Sequence, residues 1–522
     1  MKNKIGIIIA LLGVMTFSAC ENAIIDNPQS ALTQVGFFTT PVRINEGIMG
    51  CYEGMANIKG DEWRFTEIRS DNTCVSSYGT GTTDRADICD LKFFRTSPSQ
   101  TGLLNFWYKF FQNISNVNAI LPNVAAGKSY VPIESQRAQY EGELLFIRAF
   151  HYYTLVNLWG DMFKVTTVIG PGEAKKVQRS SVSEIYNEII IPDLIKAANQ
   201  LPEAYSTNDA GRITKWAAKS LLAKAYMTIG GSANLVLAKT QLQDVLAATQ
   251  HHLLTTGITV GGKLLSPYAS IFDISNEMNA EIIFAIRYKG GALGIGSSFW
   301  GTFAPEGSAN LLLKIGTPVG NNNPTPELMN LFNADPKDTR TDACFRIWKK
   351  STTTNIQYIS KYIDANMTQA LQAENDWIEI RYADIVLLYA EVLAQQNDYT
   401  TALQQVNLIR ARAGVDAIAT PFASKNEALD AVYKERRLEL AFENQRWFDL
   451  LRMGNAYGDP DKAINILKNT VFVTDWTVLY SLYSPILPPT QNNFTTTRLL
   501  LPIPQQEIDT NNEMVIPQNA TY

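Results

Sequence analysis

Ala390-Glu391-Val392-Leu393-Ala394-Gln395-Gln396-Asn397-Asp398-Tyr399-Thr400-Thr401-Ala402-Leu403 joins two helices through a tight turn. The first helix ends near Asn397, Tyr399 is placed to pack back across the turn, and the small Ala402 stands where the second helix crosses the first. A fainter copy lies upstream in Ala223-Lys224-Ala225-Tyr226, Gly230-Gly231 and Ala238, which opens the next helix. Small residues at such crossings let two backbones approach, so antiparallel pairs of this kind stack into a solenoid-like array.

Outward from this pair, apolar residues recur three and four apart over 103–124, 140–159, 182–198, 215–229, 235–247, 378–395, 401–413 and 426–453. The expectation is a predominantly α protein of tetratricopeptide-like helix pairs, its helices lying within 103–248 and 377–454. Between them run three stretches rich in Gly, Asn, Thr, Pro and aromatic residues: 60–100, 255–376 and the C-terminal 455–522. Loops of this length inside a compact domain are uncommon unless they serve a function, so the chain reads as a single domain, 20–522, whose regular frame presents a variable surface.

The N-terminus carries its own signal. Lys2 and Lys4 precede eleven mostly apolar residues from Ile5 to Met15, and then Thr16-Phe17-Ser18-Ala19-Cys20. Eleven residues are too few to span a bilayer core of about 30 Å, and small residues before a cysteine suit lipoprotein processing. Residues 1–19 are therefore expected to be a cleaved lipoprotein signal peptide, with Cys20 lipidated and 20–35 a polar, flexible tether. Two or more acyl chains anchor a protein stably.

The net charge of −5, without a long basic run, argues against a nucleic-acid partner. Cys51, Cys74, Cys89 and Cys344 have none of the close spacing of metal or redox sites. They read as unpaired or as one loop staple, Cys74 with Cys89. The three histidines, His151, His251 and His252, form no zinc motif, and no nucleotide loop or nucleophile elbow is present. Neither metal nor cofactor is expected. Asp335, Asp338 and Asp342 miss the spacing of a calcium loop and read as a solvated turn.

Several separated segments, taken in order, resemble the SusD/RagB family of nutrient-binding outer-membrane lipoproteins. They run from Glu143-Leu144-Leu145-Phe146-Ile147-Arg148-Ala149 to Trp159-Gly160-Asp161, then Arg212-Ile213-Thr214-Lys215-Trp216-Ala217, and Ile380-Arg381-Tyr382-Ala383-Asp384 to Glu391. Glu435-Arg436-Arg437-Leu438-Glu439 to Asp449-Leu450-Leu451-Arg452 and the terminal Leu501-Pro502-Ile503-Pro504 complete the set. The resemblance implies about four tetratricopeptide-like helix pairs, a loop-rich region built on them with minor β structure, a place over a SusC-like TonB-dependent barrel transporter at the cell exterior, and no catalysis. The family often ends in Asn-Pro-Gly-Tyr, whereas this chain ends in Asn519-Ala520-Thr521-Tyr522.

Glu443, Arg446, Asp449 and Arg452 recur at a spacing of three with alternating sign, which suits ion pairs on one helix face better than an acid and a base opposed across a substrate. A sugar site needs flat aromatic faces flanked by hydrogen-bonding side chains. Trp63, Arg64, Asp71, Asn72 and Tyr78 supply that mixture in the first loop region, and Tyr288, Phe299, Trp300 and Phe303 in the second. Trp300, after a glycine-rich stretch, is expected to show a face to solvent. Trp159, Trp216 and Trp447 lie inside periodic helices and are expected in the core. The leading reading is a glycan-binding surface lipoprotein that passes ligand to a transporter. The others are a peptide-binding protein on the same scaffold, as in the RagB branch, a surface glycosidase, and an adaptor that binds only proteins.

Overall fold

The computed structural model of the chain describes residues 37–75, 83–125, 130–471, 490–511 and 513–522; Cys20, the 20–35 tether and Tyr78 lie outside the described residues. Helix makes up 53% of the described residues and strand 8%. The frame consists of α1 (Pro41–Glu62), α2 (Thr101–Val124), α3 (Glu134–Trp159), α4 (Ile191–Gln200), α5 (Lys215–Ile229), α6 (Ser232–Leu246), α7 (Tyr382–Gln395), α8 (Tyr399–Ala413), α9 (Lys425–Glu439) and α10 (Gln445–Tyr457). They pair as α1 with α2, α3 with α4, α5 with α6 and α7 with α8, and each pair packs on the next through α2 on α3, α4 on α5 and α6 on α7. α9 closes the array against α7 and α8.

Local chemistry explains the hairpins. Between α7 and α8, Asn397 takes a left-handed φ of 65°, the Asp398 side chain caps α8 by accepting from Thr401 N at 3.2 Å, and Ala402 is fully buried at the crossing. Between α5 and α6 the same work falls to Gly230 and Gly231, with φ of 74° and 82°; this second helix opens at Ser232, before Ala238. At the centre, α3 is buried on every side from Gly142 to Trp159. Such a helix tolerates polar residues only when they are paired. Arg148 forks onto Asp193 at 2.8 and 2.9 Å, and Glu143 receives Arg212 at 3.0 Å and the Tyr52 hydroxyl at 2.8 Å.

Three elements differ from the sequence reading. α1 was not expected, although Thr40 caps it, Pro41 opens it, and Ile44, Ile48, Cys51, Met55 and Ile58 form its buried stripe. The apolar run 378–395 splits into a strand, Trp377–Arg381, and α7; the strand pairs antiparallel with Ile282–Ile286 of the insertion. The run 426–453 breaks into α9 and α10 at Phe442 and Asn444, whose φ of 67° and 58° no continuous helix accommodates. The freed backbone groups are taken up: Phe442 O accepts from the Tyr362 hydroxyl at 2.8 Å, and Phe442 N donates to Glu67 at 3.2 Å.

The C-terminal motif is bound to the Trp159-Gly160-Asp161 turn. Leu501 N donates to Leu158 O at 2.7 Å, and the Trp159 indole donates to Pro502 O at 3.0 Å. A Cβ on Gly160, whose φ is 77°, would meet Leu500 at 2.9 Å, so the close approach requires glycine. Thr521 stands at a φ of 77° in the final turn.

The insertion 255–376 is fastened to the frame mainly by buried charge. Arg381 forms ion pairs with Glu281 at 3.0 Å, Glu439 at 2.6 Å and Glu443 at 2.8 Å. Arg340 reaches Glu435 at 2.7 Å and Glu439 at 3.3 Å, Arg412 reaches Glu281 at 3.0 Å and also pairs with Glu439, and Lys361 binds Glu443 at 2.8 Å. Asp338 is buried and pairs with Arg340, so it is not part of a solvated turn. Cys51, Cys74, Cys89 and Cys344 are buried and no disulfide joins any two of them, so the Cys74 to Cys89 staple is absent.

Removing one partner from such a cluster strands the others as buried charge, at about 3–5 kcal/mol. Arg381→Met is therefore expected to lower the free energy of unfolding in urea by that amount. A loss below about 1 kcal/mol would show that the cluster does not hold the insertion.

Candidate functional site

The structure brings the two loop regions together but turns their aromatic faces inward. Trp63 packs edge-on against Phe303 at 5.7 Å, and Phe299 lies 5.5 Å from Tyr288 and 4.8 Å from Trp377. Trp63, Phe299, Trp300 and Phe303 are all buried, with Trp300 only 2% exposed. Asp71 is buried between Arg446 at 2.7 Å and Arg437 at 3.3 Å, which keeps its carboxyl well below the usual range. Asn72 is buried too, donating to Glu67 at 3.0 Å and accepting from Arg437 at 2.9 Å.

The expectation of open platforms at these residues is thus corrected. An insertion of this size builds a core of its own, and large aromatics are its most effective filling. Trp300 sits in a satellite cluster with Ala304, Leu313, Tyr358, Met367 and Ala373. Arg64 keeps a partly exposed guanidinium over the Trp63 ring at 5.2 Å, and Tyr288 remains partly open to solvent. Trp159, Trp216 and Trp447 are in the core, as expected.

Tyr288 leads to an open groove of about 400 Å³. One wall is the α1 face bearing Met49, Tyr52, Glu53 and Asn57, and the other is the segment from Arg287 to Gly296. The second wall is pinned along its length. Tyr288 N donates to Asp376 at 2.8 Å, Gly290 N to Glu374 at 2.9 Å, and Gly296 N to Gln372 at 2.8 Å. The Tyr288 hydroxyl donates to Ala56 O at 2.8 Å and ties this wall to α1. A Cβ on Gly296 would come within 2.5 Å of the Gln372 backbone, so glycine permits the fit.

The cations of the groove are already matched. Arg212 is held by Glu143, Asp209 and Asn45, and Arg287 by Asp376 at 2.8 Å and Glu277 at 3.1 Å. Burial and the neighbouring Glu277 push Asp376 up to about 7, against the pull of Arg287. By contrast, Glu53 and Asn57 are exposed, and their side chains point to no partner among the described residues. They are the groove's available hydrogen-bonding groups. Both were missed from sequence because α1 was missed; the Thr40-Pro41 start and the apolar stripe behind it were the signal.

The charged run 435–452 is a structural network. Arg436 bridges Asp384 and Asp449 at 2.9 and 2.8 Å, and Arg452 bridges Glu391 and Asp449 at 2.9 and 2.8 Å. Its pairs connect different elements more than they run along one helix, and Glu443 lies in the turn before α10. Among the described residues no cluster of three or more His, Cys, Asp or Glu is arranged to hold a metal, and no helix is long and apolar enough to cross a membrane.

A helical solenoid that carries a loop-rich body and an open groove is the class of protein this fold defines. A model of the SusD family matches residues 346–522, and a second, described as starch-binding associating with outer membrane, matches residues 26–227. A SusD-like protein of Formosa agariphila is 25% identical over 99% of this chain and 98% of its own. Among solved structures, a laminarin-binding SusD-like protein is 25% identical with a TM-score of 0.70, covering 93% of this chain and 100% of its own. Surface glycan-binding protein A from Bacteroides thetaiotaomicron, solved with laminarihexaose, is 20% identical with a TM-score of 0.71, covering 92% and 100%. The chain is a SusD-like protein.

Because Trp300 fills a buried cluster, its truncation is a stability change. Trp300→Ala is expected to cost about 3–5 kcal/mol, within the range for a buried tryptophan, and to lower the melting temperature as Trp447→Ala does. A variant with the melting temperature of the wild type would return Trp300 to the role of an open platform.

Proposed function

We propose that this protein captures glycan chains at the outer surface of the outer membrane and delivers them to a SusC-like TonB-dependent transporter, without cleaving them. The observation that carries the reading is the groove between α1 and the 287–296 segment. It has a tyrosine edge, apolar floor residues and two unengaged polar side chains, Glu53 and Asn57, on a helix that cannot easily move. Sugar rings, with apolar C–H faces and hydroxyl rims, suit that mixture. Two relatives by fold are described as binding laminarin or laminarihexaose, and one matching family model is described by starch binding and outer-membrane association. The absence of hydrolysis is argued from charge: the carboxylates of the 435–452 network are engaged by arginines, and an acid and base opposed across a substrate have no candidates there.

Glycan capture is tested by calorimetric titration with neutral oligosaccharides, followed by product analysis after prolonged incubation. Glu53→Ala combined with Asn57→Ala is expected to weaken binding at the groove about tenfold or more, at an unchanged melting temperature, since both residues are exposed. Affinity for peptides but for no glycan would transfer the site to the RagB-like reading. Reproducible cleavage that is lost on mutating a carboxylate would revive the glycosidase.

The membrane attachment is proposed to rest on Cys20, whose lipid would leave the globule tethered through 20–35. Cys20→Ala is expected to abolish incorporation of a labelled fatty acid while leaving the melting temperature of the domain unchanged. Undiminished label in the variant would show that the anchor lies elsewhere.

A further inference from the structure

A second groove, of about 350 Å³, lies between α2, residues 163–177 and the C-terminal residues 507–516, and shares no lining residue with the first. Aromatic rings stand behind its wall: the buried Trp107 lies 5.0 Å from the partly exposed Phe111 and 6.0 Å from the buried Phe163, and these last two are 6.2 Å apart. Tyr108 stands at the edge with 40% of its surface exposed. Glu507, whose carboxyl burial pushes above its ordinary range, lines the groove with it. Lys175 completes the rim.

The C-terminal wall is held in place without a ligand. The Gln518 amide forms a two-way bond with Ile503, accepting from N at 2.7 Å and donating to O at 2.8 Å, and Arg179 donates to Pro517 O at 2.8 Å. Ile516 is thereby packed into the groove wall at 7% exposure.

This geometry narrows the ligand class. A volume of about 350 Å³ falls in the range of about 300–1,000 Å³ typical of small-molecule sites. Tyr108 and Phe111, the aromatic residues here that keep exposed surface, suit a ligand with an apolar face. An anion would meet Glu507 and a cation would meet Lys175, so a neutral ligand fits both rims. A half-buried carboxyl at the groove edge is well satisfied by hydroxyl donors. Neutral charge, an apolar face and a hydroxyl edge together describe a pyranose ring.

We propose that this groove is a second, independent sugar-binding site, seated on Tyr108 and Glu507, for a short stretch of neutral pyranose units. The proposal shares its ligand class with the function proposed above but depends on other residues. Two sites on one rigid body would grip a long glycan at two points, and the second contact would then form at a high effective concentration.

Calorimetric titration of the full-length protein in detergent with laminarihexaose, maltohexaose and cellohexaose tests it. The hexasaccharide that binds is expected to fill two sites per chain. Tyr108→Ala should weaken one of them at least about tenfold and leave the other and the melting temperature unchanged. Glu507→Gln, which keeps a carbonyl acceptor for a ligand hydroxyl, should weaken the same site less. Glu53→Ala with Asn57→Ala should weaken only the other site, so the failure of either groove is read separately. A single site that Tyr108→Ala leaves untouched overturns the proposal, and so does the failure of all three hexasaccharides to bind the Glu53/Asn57 double variant.

Discussion

Glu439 is the point on which the architecture turns. Its side chain is completely buried and is reached by Arg340 from the insertion, Arg381 from the strand before α7, and Arg412 from the end of α8. Three segments far apart in the chain therefore meet at one carboxylate, which the arginines hold far below its ordinary pKa despite burial. Taking charges out of water costs several kcal/mol each, so a cluster of this kind contributes little net stability. What it supplies is registry. An insertion that slid on an apolar interface would lose little; one that slid here would leave charges unpaired. A depressed carboxylate contributes stability at pH values above its unfolded pKa and loses it as pH falls toward its folded one. With Asp384 brought down to about 2 by Lys224 and Arg436, its contribution persists until pH falls below about 4, the ordinary aspartate value.

The same arginine-rich region orders the first loop. Arg446 and Arg437 converge on Asp71, and a two-residue ladder pairs Thr73–Cys74 with Asn323–Pro324. Both loop-rich regions are consequently clamped on their inner sides, and the aromatic cluster around Phe299 and Tyr362 fills the space between them. Large loops behave here as a second packed layer. Their inner residues are fixed by the frame, and variation is open to the few positions that still face water.

That division explains what could be read from residues alone. Helices with an uninterrupted three-and-four pattern, such as α5 and α8, were legible because one apolar stripe suffices to place them. α1 was not, since Gly47, Gly50, Gly54 and Gly60 weaken its helical propensity; in the fold, Gly54 lets α2 approach so closely that a Cβ would lie 2.4 Å from Asn113. The break between α9 and α10 was hidden because polarity continues smoothly through Phe442-Glu443-Asn444, and only the demand of Arg381 and Lys361 for Glu443 bends the chain there. The loop aromatics were misread for a related reason. Composition reports that a tryptophan is present in a loop but not which side of the loop faces the frame, and Trp300 is decided by Tyr358 and Met367, which lie far from it in sequence.

The two grooves fall on one helix pair of the solenoid. α1 supplies Glu53 and Asn57 to one, α2 supplies Tyr108 and Phe111 to the other, and the pair is joined by the glycine-permitted approach at Gly54 and by Lys109, which reaches Asp61 at 2.5 Å and Asn57 O at 3.0 Å. Binding groups mounted on packed helices keep their spacing when the loops opposite them change. Each groove then has one helical wall and one loop wall, the 287–296 segment in the first and the C-terminal segment in the second. The buried charge at Glu439 holds the insertion that carries the first of these loop walls, while the C-terminal wall rests on Gln518 and Arg179.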